Sequence, residues 1–419
     1  MSTIPRDKLP ESTLALFRDG YEFIGKRCKR LGSDVFQTRL MLQKTVCMRG
    51  PEAAQVFYDQ RYFQRKGGAP LRLRKTLFGQ GGVQGMDGEA HRHRKAMFMS
   101  LMSSESIARL VRLMSDEWRA ALPGWAEKGR VVLLDAARDI LCRAVCAWTG
   151  VPLKESEVRK RTQDFAAMIE DSGAIGPRHW KGRLSRKRAE GWIGGVIEAV
   201  RAGRLNPPEG SALRTVAFHR ELDGELLKTR IAAVELINVL RPTVAVARFI
   251  TFAALALYEY PDWRRRLARQ KDRELELFVQ EVRRFYPFFP FVAARVSKPF
   301  DWQGYHFPEG ARALLDLYGT DHDPRAWDDP ETFRPERFLT WDGSPFNFIS
   351  QGGGDHYENH RCPGEWITIE LMKEAVRLLV MSMDYIVPQQ DLTVSMTRMP
   401  TMPQSGFVIA DVRPREVIV

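Results

Sequence analysis

Cys362 stands in Gly352-Gly353-Gly354-Asp355-His356-Tyr357-Glu358-Asn359-His360-Arg361-Cys362-Pro363-Gly364-Glu365, where a glycine-rich loop runs into an apolar pattern. Beyond it Ile367, Ile369, Leu371, Met372, Ala375, Val376, Leu378 and Leu379 recur at helical spacing. Pro363 fits the first helical turn, where its missing N–H is no loss. A sulfur at a helix start faces unpaired backbone N–H groups and the positive end of the dipole, here with His360 and Arg361 adjoining. Such a place suits an anion, so Cys362 is a candidate metal ligand or nucleophile. A second pair lies upstream in Glu281-Val282-Arg283-Arg284, on a helix ending at Tyr286-Pro287. Three apart, Glu281 and Arg284 share a face and can pair.

The elements that must position these groups are mostly helical. Helical patterns run from about Ser104 to Val151, Glu155 to Gly203, Asp223 to Tyr258 and Trp263 to Phe285, with a Pro/Gly loop at Gly203–Gly210. Short strand patterns occur at Lys44–Arg49, Phe291–Val296, Ala313–Leu317, Tyr385–Val387 and Phe407–Ala410. No repeat or long linker interrupts them. The expected fold is mainly α with small β-sheets, as one domain over residues 1–419.

The 419 residues, 44% hydrophobic with 10 Trp and 23 Phe, are enough for a large core. No apolar run long enough to cross a bilayer is evident, and the start, Met1-Ser2-Thr3-Ile4-Pro5, lacks the apolar stretch of a secretory signal. We therefore expect a soluble, cytoplasmic protein without a transmembrane segment. Five cysteines argue against a disulfide framework. Cys142 and Cys146, one helical turn apart, read as buried thiols rather than a zinc site, because no partner ligand pattern accompanies them. The net charge of +12 comes from dispersed residues at helical spacing, which are solvated faces and not a nucleic-acid motif.

Downstream of the Glu-x-x-Arg pair come Phe333-Arg334-Pro335-Glu336-Arg337-Phe338 and then the Cys362 loop with its Cys-x-Gly end. In this order the three motifs resemble the cytochrome P-450 family over nearly the whole chain. The resemblance implies the cytochrome P-450 fold, with haem b between a long central helix and the cysteine loop. It makes Cys362 the axial thiolate of the iron, and Glu281, Arg284 and Arg337 the structural triad behind it. Arg65, His91, Arg94, Lys95 and His360 are candidate contacts for the haem propionates; His91-x-His93 lies in a basic stretch better suited to anions than to a metal.

Two features depart from the general pattern. The cysteine loop is longer than usual and lacks the compact Phe-Gly-x-Gly spacing. The helix expected over the haem reads Leu236-Ile237-Asn238-Val239-Leu240-Arg241-Pro242-Thr243-Val244-Ala245-Val246-Ala247-Arg248, where a typical member has an acid–alcohol pair for proton delivery. Pro242 cannot donate to the Asn238 carbonyl and should kink the helix. Arg241 cannot serve as general acid or base, and an unpaired guanidinium in an apolar pocket is costly. A substrate carboxylate is the suitable partner; an outward orientation or an internal carboxylate is the alternative.

An Arg–Pro pair here resembles the fatty-acid peroxygenase group of that family. The likeness extends to Phe78-Gly79, Val83-Gln84-Gly85-Met86-Asp87-Gly88, Phe98-Met99-Ser100-Leu101-Met102 and Trp341-Asp342-Gly343-Ser344-Pro345-Phe346. It implies a fatty acid anchored by Arg241, hydrogen peroxide as oxidant, and no obligatory reductase or nucleic-acid partner. Arg241, Pro242 and Gln84 are then the catalytic candidates, and Phe78, Phe288, Phe289 and Phe291 the expected acyl-channel lining. In this group the Gln84 position faces the haem, and a histidine there accompanies decarboxylation to terminal alkenes. Glutamine cannot shuttle protons as histidine does, which favours hydroxylation at the α or β carbon. The alternatives are an alkene-forming decarboxylase on the same scaffold, a monooxygenase with separate redox partners, and a haem sensor or carrier without turnover.

Overall fold

A computed structural model describes residues 3–269 and 272–415; the readings at Met1-Ser2 and at residues 270–271 of the last helical pattern lie outside these. One helix organises the rest: Thr229–Glu259, 31 residues long, in which every residue from Ala232 to Leu257 except Pro242 is buried. Helices Leu133–Thr149, Val158–Glu170, Pro177–Arg201 and Glu365–Arg377 pack around it. A helix so largely apolar is stable only when surrounded. By length and composition it could cross a bilayer, but it is enclosed by the protein's own helices, as a core helix is.

The five-stranded sheet has the order Val35–Leu40, Gln43–Met48, Arg312–Asp316, Phe291–Val296, Phe63–Gln64. Its second and third strands are parallel, with Cys47 opposite Leu314, and the other pairs are antiparallel. A three-stranded sheet joins Arg130–Val132, Val408–Pro414 and Met383–Ile386, and Phe300–Trp302 pairs with Tyr305–Phe307. All five expected strands are present, within a few residues at their ends.

The long helical patterns are subdivided where backbone chemistry requires it. The pattern 104–151 breaks at Gly129, whose φ of 69° ends one helix in the left-handed region before the strand Arg130–Val132 begins. The pattern 155–203 breaks after Glu170 and restarts at Pro177, a first-turn proline. Residues 263–285 form two helices, Pro261–Leu267 and Asp272–Phe285. Pro242 does not break its helix: residues 229–259 form one continuous element.

Candidate active site

The cysteine loop is held mainly by its backbone. Cys362 N–H donates to Gln351 O at 3.0 Å, and Cys362 O accepts from Glu365 N–H at 3.3 Å. A Cβ on Gly353 would lie 2.7 Å from Pro345 O and 2.8 Å from Ile349 Cγ2, so only glycine permits this approach. The helix begins at Glu365 with Gly364 before it, so Pro363 occupies the preceding turn and not the first helical turn. Glu365 collects three basic side chains: Arg283, Arg361 at 2.6 Å and His356 at 3.0 Å. Burial pushes its carboxyl up, but Arg283, His356 and Arg361 outweigh that and hold it far below the usual carboxylate range. Lys95 Nζ donates to Asn359 O and, at 2.6 Å, to Arg361 O, tying the loop to helix Gly88–Met99.

These pairings correct the expected electrostatics of the sulfur. Arg361 is neutralised by Glu365. His360 is held neutral, its pKa pulled down to about 4 chiefly by burial despite Asp87. Burial also pushes the Cys362 thiol up, against the Gly364 N–H, Lys95 and Arg283. Burial thus opposes the charged form of the sulfur, which a bound metal cation would favour. Among the described residues no group of three or more His, Cys, Asp or Glu gathers to hold a metal ion. A metal on Cys362 must bring its other ligands with it, which a single thiolate on a haem iron satisfies.

Behind the loop the expected triad is formed. Glu281 accepts from Arg284 Nε at 2.7 Å and Nη2 at 2.9 Å, and from Arg337 Nε at 3.1 Å, all three residues being buried. Both arginines also donate to carbonyls of the 321–332 segment: Arg284 to Asp321 O at 2.9 Å, Arg337 to Thr332 O at 2.8 Å. Buried charge is tolerable here because every partner is matched.

On the central helix, Arg241 is 5% exposed, and its one side-chain partner among the described residues is Asn238 Oδ1, at 3.4 Å from Nη2. Its Nε has no partner. Burial pulls its pKa down to about 9, Arg186 adds to this and Cys362 opposes it, so the group remains charged at neutral pH. Among the described residues no carboxylate meets it. Asn238 in turn donates to Gln84 Oε1 and to Glu235 Oε2, both at 3.1 Å. Glu235, fully buried, accepts from Val83 N–H at 2.9 Å and from Arg94 at 2.6 Å. The loop carrying Gln84 is thus fixed to the same helical turn that carries Arg241. Glu235 and Asn238 escaped the sequence reading, although their spacing of three, continued to Arg241, places all three on one face.

The aromatic candidates divide. Phe78, Phe288 and Phe289 pack against a cluster of Leu77, Ile169 and Ala245, the last one turn beyond Arg241. Phe291 belongs elsewhere: strand alternation turns it, with Ala293, towards Phe23, Phe36 and Leu314 on the other face of the sheet. The basic candidates divide too. Arg65, His91 and His360 gather near Asp87: the histidine rings lie 3.9 Å apart, Asp87 accepts from Arg65 N–H at 2.6 Å, and His360 Nε2 is 3.8 Å from it. Arg94 instead pairs with Glu235 and Glu221, and Lys95 braces the cysteine loop.

The cytochrome P450 family model matches residues 269–409. Vinorine hydroxylase of Rauvolfia serpentina is 33% identical over 150 residues, 34% of this chain and 30% of that protein, so the chain spans only about a third of its length. Two solved structures match throughout. Cytochrome P450SP alpha, in complex with (R)-ibuprophen, is 51% identical with a TM-score of 0.95, covering 97% of this chain and 99% of that one. Cytochrome P450EX alpha, with myristic acid, is 45% identical with a TM-score of 0.95, covering 99% and 100%. Identity of this extent over whole chains, with the thiolate loop and triad in place, means that this protein belongs to the cytochrome P450 family.

Proposed function

We propose that the protein is a fatty-acid peroxygenase, a single catalytic domain that uses hydrogen peroxide to hydroxylate medium- or long-chain fatty acids at the α or β carbon. The observation that carries this reading is Arg241: a buried guanidinium with no carboxylate partner among the described residues, one turn from the Phe78–Ala245–Phe288 cluster. A fatty-acid carboxylate supplies the missing anion while its chain lies along the apolar side chains. A charged hydrogen bond contributes about 1.5–3 kcal/mol and each buried methylene about 0.8, so the chain dominates affinity and Arg241 sets its register. The oxidised carbons are then those nearest the carboxylate. The carboxylic acids in the two related structures agree with this assignment.

Haem held by Cys362, with Arg65, His91 and His360 towards its propionates, supplies the oxidising chemistry when bound. The protein's part is positional. Arg241 fixes the carboxylate, Asn238 holds Arg241 and Gln84 in a fixed relation, and the apolar cluster excludes water. In the peroxygenase group that the chain resembles, the substrate's own carboxylate supplies the acid–base help for peroxide, and here Glu235 is engaged by Arg94, Asn238 and Val83. Gln84, an amide already accepting from Asn238, favours hydroxylation over alkene formation. No reductase is required, and the cytoplasm is the assigned location.

The test is a fatty acid with hydrogen peroxide, without reductase or NAD(P)H, followed by product analysis. Hydroxy acids oxidised at C2 or C3 are expected. No product with peroxide, but turnover with NAD(P)H and redox proteins, would overturn the proposal.

A further inference from the structure

The helix Pro177–Arg201 carries a surface that the catalytic reading does not use. Its first three turns, Pro177-Arg178-His179-Trp180-Lys181-Gly182-Arg183-Leu184-Ser185-Arg186-Lys187-Arg188, hold six basic residues and no acidic one. Trp180 is 66% exposed and Leu184 55%, one turn apart on the outer face. Exposed Lys181 and Lys187 flank them, with no ion-pair partner among the described residues. Two further apolar side chains adjoin: Ile175, 66% exposed in the preceding turn, and Leu71, 49% exposed. Arg72 donates to Ala174 O and Arg183 to Lys75 O, which hold the basic segment 71–75 against this helix.

Large apolar side chains standing in water between unpaired cations need an explanation. We propose that this face docks on an anionic lipid bilayer, with Trp180, Leu184, Ile175 and Leu71 entering the headgroup–acyl boundary and the exposed Lys181 and Lys187 meeting lipid phosphates. Aromatic and aliphatic residues flanked by Lys and Arg on one helix face match the composition of an interfacial helix. Charge selects among occupants: Arg178, Arg186 and Arg188 are paired with Asp171, Glu190 and Asp164, but Lys181, Arg183 and Lys187 have no carboxylate partner among the described residues, so a second copy of this chain would set like charges together, whereas an anionic surface complements them.

The location gives the docking a purpose, and this step rests on the proposed fatty-acid activity. The same helix donates through Arg186 to Leu77 O at 3.1 Å, and Leu77 belongs to the apolar cluster that reaches Ala245 beside Arg241. Leu73, between Leu71 and Leu77, packs on that cluster. An amphiphile dissolved in a bilayer thus meets an apolar path beginning at the docked face.

The test is flotation of the full-length, haem-loaded protein with phosphatidylglycerol/phosphatidylcholine vesicles and with pure phosphatidylcholine vesicles. Binding to the first and not the second is expected, weakening at high salt. W180S/L184S should reduce binding about tenfold or more. K181Q and K187Q should each weaken it about fivefold. All three surface variants should keep the wild-type melting temperature and the wild-type rate on a fatty acid short enough to stay dissolved in water. Equal binding to neutral vesicles, no binding to either, or undiminished binding by W180S/L184S would overturn the proposal. The last result, with duplex DNA displacing the vesicles, would identify a general polyanion surface instead. Absence of fatty-acid turnover in wild type would defeat the activity reading and leave the vesicle result standing.

Discussion

Replacing Arg241 by methionine keeps an unbranched stem and removes the charge, and the structure makes two opposed predictions for it. The wild-type guanidinium has five N–H donors, of which one is weakly engaged by Asn238. A carboxylate can therefore take two of them. With each charged hydrogen bond contributing about 1.5–3 kcal/mol, the loss should be at least about 3 kcal/mol, or roughly a hundredfold in dissociation constant. In the ligand-free protein the sign reverses. Burial pulls the Arg241 pKa well below the ordinary guanidinium value, to about 9, so the fold disfavours the charged form. That shift corresponds to a penalty on the order of a few kcal/mol at neutral pH, which R241M relieves. The variant should thus melt higher than wild type while binding fatty acid far more weakly. Calorimetry measures the first. Optical titration with a fatty acid and with the alcohol of equal chain length measures the second, the alcohol serving as control. Wild type should favour the acid strongly and R241M should treat the two alike. An unchanged acid preference would refute the anchoring role. A lower melting temperature would mean that Arg241 is stabilised where it sits, refuting the unpaired-cation argument.

Other substitutions probe the surrounding groups. Gln84→His places a titratable ring where an amide now accepts from Asn238, and the alkene fraction of the products should rise; an unchanged fraction removes the proton-delivery role of that position. Asn238→Leu strips a partner from Gln84, Glu235 and Arg241 together. It should lower stability by about 1–3 kcal/mol and spread oxidation beyond its normal carbon, whereas an unaltered product distribution would show that Asn238 does not orient Arg241. Glu281→Gln leaves Arg284 and Arg337 buried without their carboxylate and should cost about 3–5 kcal/mol of stability, read as a lower denaturation midpoint; a midpoint equal to wild type would contradict the triad's structural role.

Groups close in sequence were legible. Glu281 and Arg284 are three apart on a helix, and that spacing alone makes them meet. Their motif, the Pro-Glu-Arg-Phe segment and the Cys362 loop needed only their order to indicate the fold. Arg241 was readable for a different reason: an arginine followed by proline inside a largely apolar helix is an inconsistency visible in one dimension.

What surrounds those groups depends on contacts between distant parts of the chain. The partners of Glu235, namely Arg94 and Val83, lie about 140 residues or more upstream, and Gln84 reaches Asn238 across 154. No local pattern specifies such pairs, because their distance is set by how the 79–85 loop crosses the central helix. For the same reason Arg94 and Lys95, which look like free cations in a basic run, prove to be internal struts. Phe291 and Phe289, equally aromatic and two apart, divide between the sheet and the apolar cluster only once the strand is paired. The sequence by itself determined the family, through the order of its three motifs, and singled out Cys362 and Arg241 as candidates by residue type and short spacing. Tertiary structure alone decided that no carboxylate among the described residues reaches Arg241, because the absence of a partner is a property of packing.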